Sequence, residues 1–275
     1  MRHHLCSISI SYRKHLHSFT CKLLLFLISL LLLVNGLSWR QAIAKDAVFM
    51  FDGKILLSSM VSLVDGYLRK MADSFEVLAM TNEVQSGKWE EMKALLDKAQ
   101  QRNIYSLIWY ARTDGSYFTV DKGLVNKNIK DRDYFSKLLA GEEVFGTIVV
   151  SRSTGRNVTV VAVPIKKGGN VIGVLGASIY LDRLNEIVIQ EMKLPEDFVF
   201  FVIDANAKTV LNWKEERIFE NPAQQGSESL SKAINEMLSK KEGMAEYEFE
   251  GTTKKVIYQT SPLTGWKFAI GKIMK

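Results

Sequence analysis

Residues Asn157–Asp182 read NVTVVAVPIKKGGNVIGVLGASIYLD. Val158–Val163 is almost entirely β-branched, which suits a strand buried on both faces or at the centre of a sheet. The run Lys166-Lys-Gly-Gly-Asn170 is a turn signal, and apolar residues resume at Val171 as a second strand over 171–182. Asp182 is then placed to cap a helix to about Met192. Upstream, a third strand candidate spans 144–152, closed by the turn Ser153-Thr-Gly155. Strands that meet through turns, with helices set to one side, make an α+β sheet and not a βαβ one.

Working outward, 131–140 has the pattern of a short helix, with an Asp to cap it and Gly141 to end it. Before it, aromatic and β-branched runs at 104–112 and 117–120 flank Thr113-Asp-Gly-Ser116. Asp-Gly supplies the positive φ that a tight hairpin turn needs. After Pro195 the order recurs: strands at 198–204 and 209–213 around the turn 205–208, a helix at 227–240, then strands at 244–250, 254–260 and 266–273. Strand, turn, strand, helix and three strands therefore occur twice, an internal duplication with a period of roughly 90 residues.

Ahead of the first copy, Leu57, Val61, Val64, Leu68, Met71, Phe75 and Leu78 are spaced alternately by four and three. This is a helical stripe near the coiled-coil period, open to two readings: packing on the protein's own sheets, or a homodimer seam. A second helix over about 89–102 follows the Ser86-Gly87 break. The predicted organisation is a leader at 1–44, a helical stalk at 45–103, a first sheet module at 104–193 and a second at 194–275.

Composition divides the chain at the leader. The whole carries 36 Lys plus Arg against 30 Asp plus Glu, a net charge of +6. Residues 1–44 contain Arg2, Arg13, Lys14, Lys22 and Arg40 and no acid; removing those five leaves 31 against 30, or +1. All four histidines (His3, His4, His15, His17) and both cysteines (Cys6, Cys21) also lie there. The body therefore has no thiol nucleophile, His base, disulfide or His/Cys metal site, and no electrostatic footprint for nucleic acid. Basic residues, the apolar run Leu23–Val34 and Ala42-Ile-Ala44 together read as a secretory signal peptide cleaved before Lys45. The alternative is an uncleaved anchor, since the apolar run extended to Trp39 reaches the short limit of roughly 17 residues for a spanning helix. The body is accordingly expected to be periplasmic or secreted, or tethered to the inner membrane facing the periplasm.

In this setting the chain resembles the double Cache family. The likeness runs in order through 104–120, Lys130-Asp-Arg-Asp-Tyr-Phe135, Gly146–Gly155, Val161-Ala-Val-Pro164, Val171-Ile-Gly-Val-Leu-Gly176, Val256-Ile-Tyr258 and Gly265-Trp-Lys-Phe-Ala-Ile-Gly271. The resemblance implies a long N-terminal helix leading into two PAS-like modules of antiparallel sheet, with a small-molecule pocket in the membrane-distal one. It also implies an extracytoplasmic sensor of the kind found in chemoreceptors and histidine kinases.

The family's amino-acid-binding subclass implies site positions here. Arg132 matches the arginine that holds a ligand carboxylate, and Tyr134 and Phe135 stand where its aromatic pair would be. The assisting tyrosine falls near Val149 or Val150, and the acid that takes the ligand ammonium falls at Ser178. The carboxylate half is partly kept and the ammonium half is lost, so the expected ligand is a small organic acid without an α-amine. Strand alternation puts Tyr105, Leu107 and Trp109 on one face and Ile108, Tyr110 and Arg112 on the other, leaving Trp109 and Tyr110 both as pocket candidates. The competing reading of Arg132, flanked by Asp131 and Asp133, is a surface ion pair of little worth.

No enzyme is expected. Ser229-Leu-Ser-Lys232 has the S-x-x-K spacing without its companion elements, and reads as a solvated helix face. No metal or cofactor is implied. Because the sequence stops at Lys275 right after the second module, ligand occupancy is expected to pass to a separate membrane receptor or kinase. The rival readings are a ligand-independent dimerisation or receptor-interaction module and a His- and Cys-free hydrolase.

Overall fold

A computed structural model describes residues 53–274 apart from Ile104. The expected leader, with its histidines and cysteines, lies outside the described residues. Among them the chain forms α1 over 53–79, α2 (Asn82–Gln85), α3 (Trp89–Arg102), β1 (Ser106–Ala111), β2 (Ser116–Thr119), β3 (Gly123–Asn128), α4 (Asp133–Leu139), β4 (Val144–Val150), β5 (Asn157–Lys167), β6 (Asn170–Tyr180) and α5 (Leu181–Met192). The second half follows with β7 (Phe198–Ile203), β8 (Thr209–Asn212), a 3-10 turn at Glu215–Arg217, α6 (Pro222–Gln225), α7 (Glu228–Ser239), β9 (Glu242–Phe249), β10 (Thr252–Thr260) and β11 (Lys267–Met274).

The strands form two antiparallel sheets, ordered β3-β2-β1-β6-β5-β4 and β8-β7-β11-β10-β9. Without β3 the two orders are the same, which is the duplication seen in space. The α+β fold with two PAS-like sheets matches the expectation. The opening hairpin turns on Gly115, at φ +84°, while Asp114 accepts from the Ser116 amide at 2.9 Å and its hydroxyl at 2.6 Å. β3 was not legible. Its Gly-Leu-Val-Asn-Lys-Asn has no sustained alternation and Leu124 is 60% exposed; pairing with β2 makes it an edge strand.

Two helix starts also differ. Arg132, not Asp131, is the N-cap residue of α4. Asp182 lies inside the first turn of α5, where Tyr180 holds the cap position. Asp182 is instead drawn to Arg156, at 2.6 and 2.8 Å, whose guanidinium also lies 3.6 Å from the Tyr180 ring centre.

The α1 stripe is spent within the chain. Leu57, Val61, Val64, Leu68, Met71 and Phe75 are all buried, each stabilising by about 1.5–3 kcal/mol relative to exposure. Of the two readings open for this stripe, the burial is that of packing on the protein's own core. The helix touches both modules. A Cβ on Gly53 would come within 2.8 Å of Ile257 on β10, and Asp65 accepts from the Ser261 hydroxyl at 2.8 Å. One turn further, Arg69 pairs with Glu143 at 3.0 Å and lies 4.3 Å from the Phe145 ring centre. Each sheet has its own core on the opposite face, under α4 in the first module and under α7 in the second.

Candidate functional site

Between the first sheet and α4 lies a small cavity. Its floor is made by alternate residues of neighbouring strands. Trp109 comes from β1, Tyr117 from β2, Val160 from β5 and Ser178 from β6. Ser178 stands opposite both Leu107 and Val160 in the ladder. Trp109 pairs with Gly176, where an added Cβ would come within 2.4 Å of the indole. The ring therefore lies on bare backbone, and glycine at 176 is a condition of its position.

The rim is built by α4 and the β4–β5 loop. Arg132 ends the extended approach to α4, and its Nη2 donates to the Val150 carbonyl at 2.8 Å. Beyond β4 the loop is held by the Ser151 hydroxyl, which accepts from the Thr154 amide at 3.3 Å and lies 3.2 Å from the Ser153 hydroxyl. Gly155, at φ +73°, completes the turn. This places Ser151, Arg152 and Ser153 at the cavity mouth together with Tyr134.

The two arginines differ in their electrostatics. Arg152 grips the Asp131 carboxylate through both terminal nitrogens, at 2.7 and 2.8 Å, and also donates to the Asn128 carbonyl. This pairing pulls the Asp131 pKa down and pushes that of Arg152 up. Arg132 has no ion-pair partner among the described residues, and the acceptor of its Nη2 is the neutral Val150 carbonyl. The surface-pair reading of Arg132 is thereby corrected, since Asp131 turns to Arg152 instead. No carboxylate lines the cavity. Burial pushes the Tyr134 hydroxyl up to about 12, and raises Tyr117 as well against the opposing hydrogen bond from Ser153. Both phenols thus stay neutral near pH 7 and present O–H donors. The lining thus combines a guanidinium without an ion-pair partner among the described residues, neutral hydroxyls and an indole wall, with no acid among them.

Trp109, Arg132, Tyr134 and Ser178 are brought together in this cavity, whereas Tyr110 is not. As the next residue on β1 it projects from the opposite face. There its hydroxyl donates to the Gly87 carbonyl at 3.1 Å and its ring packs 6.2 Å from Phe118. Tyr110 is a packing residue between the sheet and the α2–α3 link. Phe135 is buried in the core beneath α4. Sequence reasoning passed over Tyr117, Ser151, Arg152 and Ser153. The available signal was a second arginine just before the Gly155 turn.

A family model for the Cache domain matches residues 41–273. The chain belongs to the Cache domain family. Among curated proteins it is similar to the methyl-accepting chemotaxis protein TlpB of Bacillus subtilis, 29% identical over 143 residues, which are 50% of this chain and 19% of TlpB. The match therefore spans about a fifth of that receptor's length. Among solved structures, the ligand-binding domain of the Pseudomonas aeruginosa amino acid chemoreceptor PctB, in complex with L-Arg, superposes with a TM-score of 0.65. That pair is 16% identical, over 83% of this chain and 96% of the other. The sensory domain of the Campylobacter jejuni chemoreceptor Tlp3, with isoleucine bound, gives a TM-score of 0.63 at 15% identity, over 83% of this chain and 94% of that one. At such identities the likeness establishes a shared Cache fold. Among the described residues no helix is long and apolar enough to cross a membrane.

Proposed function

We propose that this Cache protein is an extracytoplasmic sensor module whose first cavity binds a small organic acid lacking an α-amine, and that occupancy is passed to a receptor or kinase partner. One observation carries the ligand class: Arg132 enters a cavity without an ion-pair partner, and no acid is present to receive an ammonium. An α-amino acid would have to leave its ammonium uncompensated beside Ser178, at a cost of several kcal/mol. A carboxylate without that group meets Arg132, which suits bidentate recognition, and the neutral hydroxyls of Tyr134 and Tyr117. An extracytoplasmic setting is supported by the leader-like sequence and by family membership.

A thermal-shift screen of short mono- and dicarboxylates against the α-amino acids tests this. A ligand at a hundred times its Kd stabilises by about 2.7 kcal/mol, a rise of roughly 5–10 °C for a domain of this size. Organic acids are expected to give that rise, and Arg132→Ala to abolish it while the unliganded melting temperature holds within a few degrees. Stabilisation by amino acids and not by organic acids would overturn the reading.

A further inference from the structure

The second module has a cavity of its own, between the β7–β11 sheet and α7. It is enclosed by the counterparts of the elements around the first. Trp109 is the fourth residue of β1 and pairs with Thr119, the last of β2; Phe201 is the fourth of β7 and pairs with Asn212, the last of β8. Both aromatic residues line their cavities. The ladder from Trp109 through Gly176 to Ala162 matches that from Phe201 through Ala269 to Tyr258. Four residues back along β5 and β10, Lys254 stands where the first module has Val158. Its cross-strand partner Tyr247 stands where Val149 lines the first cavity.

The chemistry of this second cavity differs from the first. Its apolar wall is Phe201, Leu230, Ile234 and Tyr247. At the mouth Arg217 is engaged by Glu250, with Glu220 at 3.9 Å, and Glu250 also takes Lys214 at 2.8 Å. Lys254 is only 4% exposed. Its ammonium donates to the Phe249 carbonyl at 2.7 Å and the Thr252 hydroxyl at 2.8 Å, both neutral acceptors, and has no ion-pair partner among the described residues. Burial pulls its pKa down. A cation stands on a β-strand where the counterpart has valine; it feels Glu250 and the Phe249 ring at 5.5 Å but makes no ion pair, which leaves it able to take an anionic group from the cavity.

The geometry points to a second ligand site in this module, taking a monocarboxylate with an aromatic or branched aliphatic body, its carboxylate on Lys254 and its body against Phe201, Leu230 and Ile234. This site is independent of the first cavity's ligand. Titration of the full chain with phenylacetate, followed by methyl NMR, tests it. Saturable shifts are expected at the Leu230 and Ile234 methyls, with Val149 and Val160 of the first cavity unmoved. Phenylacetamide, of the same shape without the charge, is expected to bind at least about tenfold more weakly, the worth of one charge-assisted hydrogen bond. Lys254→Met should weaken phenylacetate to a similar extent, and the amide comparison needs no variant that might misfold. Absence of saturable shifts at millimolar phenylacetate, shifts confined to Val149 and Val160, or equal affinity for the amide would each overturn the proposal.

Discussion

Tyr134 shows how one residue ties the site to stability. Its neighbour Phe135 packs in the core, while Tyr134 also lines the cavity, and burial raises its pKa from 10.0 to about 12. Between those values the unfolded chain has lost the phenolic proton and the folded chain keeps it. The unfolded state then binds fewer protons, so stability falls as pH rises through this window and is fully present below it. Two pKa units correspond to about 2–3 kcal/mol. Tyr134→Phe is therefore expected to flatten the fall of melting temperature between pH 10 and 12, measured beside the unaltered protein; parallel slopes would contradict the assignment. At this scale the sequence was readable where a rule fixes direction. Period-two alternation separated Trp109 from Tyr110, although it did not say which face held the cavity. Arg152 and Ser153 were not readable, because a loop folded by Ser151 side-chain bonds and the positive φ of Gly155 brings them to the rim.

Among the elements, α1 had a visible period and two possible uses. Seven apolar residues at steps of four and three specify a buried stripe and leave the covering partner open. The structure buries Leu68 completely within the chain. Leu68→Ala should then lower the unfolding free energy by about 2–5 kcal/mol and leave the oligomeric state unchanged. Urea denaturation and light scattering after gel filtration check both halves, and a shift to monomer with little loss of stability would favour the seam reading. The strands with strong β-branched character, β5 and β6 above all, were recognised close to their limits. β3 was missed because an edge strand with one exposed face and polar residues carries little periodic signal. Helix caps were misplaced by one or two residues because Asp131 and Asp182, good caps by type, are claimed by Arg152 and Arg156.

The duplication was visible across the whole chain, but the junction of the two modules was not, since the residues that make it sit inside motifs each module needs anyway. Gly146 interrupts the β4–β5 register as a bulge and has φ +75°. Its carbonyl accepts from Trp266 Nε1 at 2.9 Å, and a Cβ there would come within 2.8 Å of Thr264 and 3.1 Å of the Trp266 ring. Asn185 of α5 adds a second buried tie, accepting from the Asn212 amide at 3.0 Å. With α1 packed against both modules, these contacts couple them into one cooperative unit, so the unaltered protein is expected to unfold in a single calorimetric transition. Gly146→Val would meet both the forbidden φ, at about 1–3 kcal/mol, and the Trp266 ring. Its damage falls on the junction and on the same strand that carries Val149 into the first cavity. The expected result is two resolved transitions, of which a first-cavity ligand raises only one. A single transition that merely moves to lower temperature would mean that α1 alone holds the modules together.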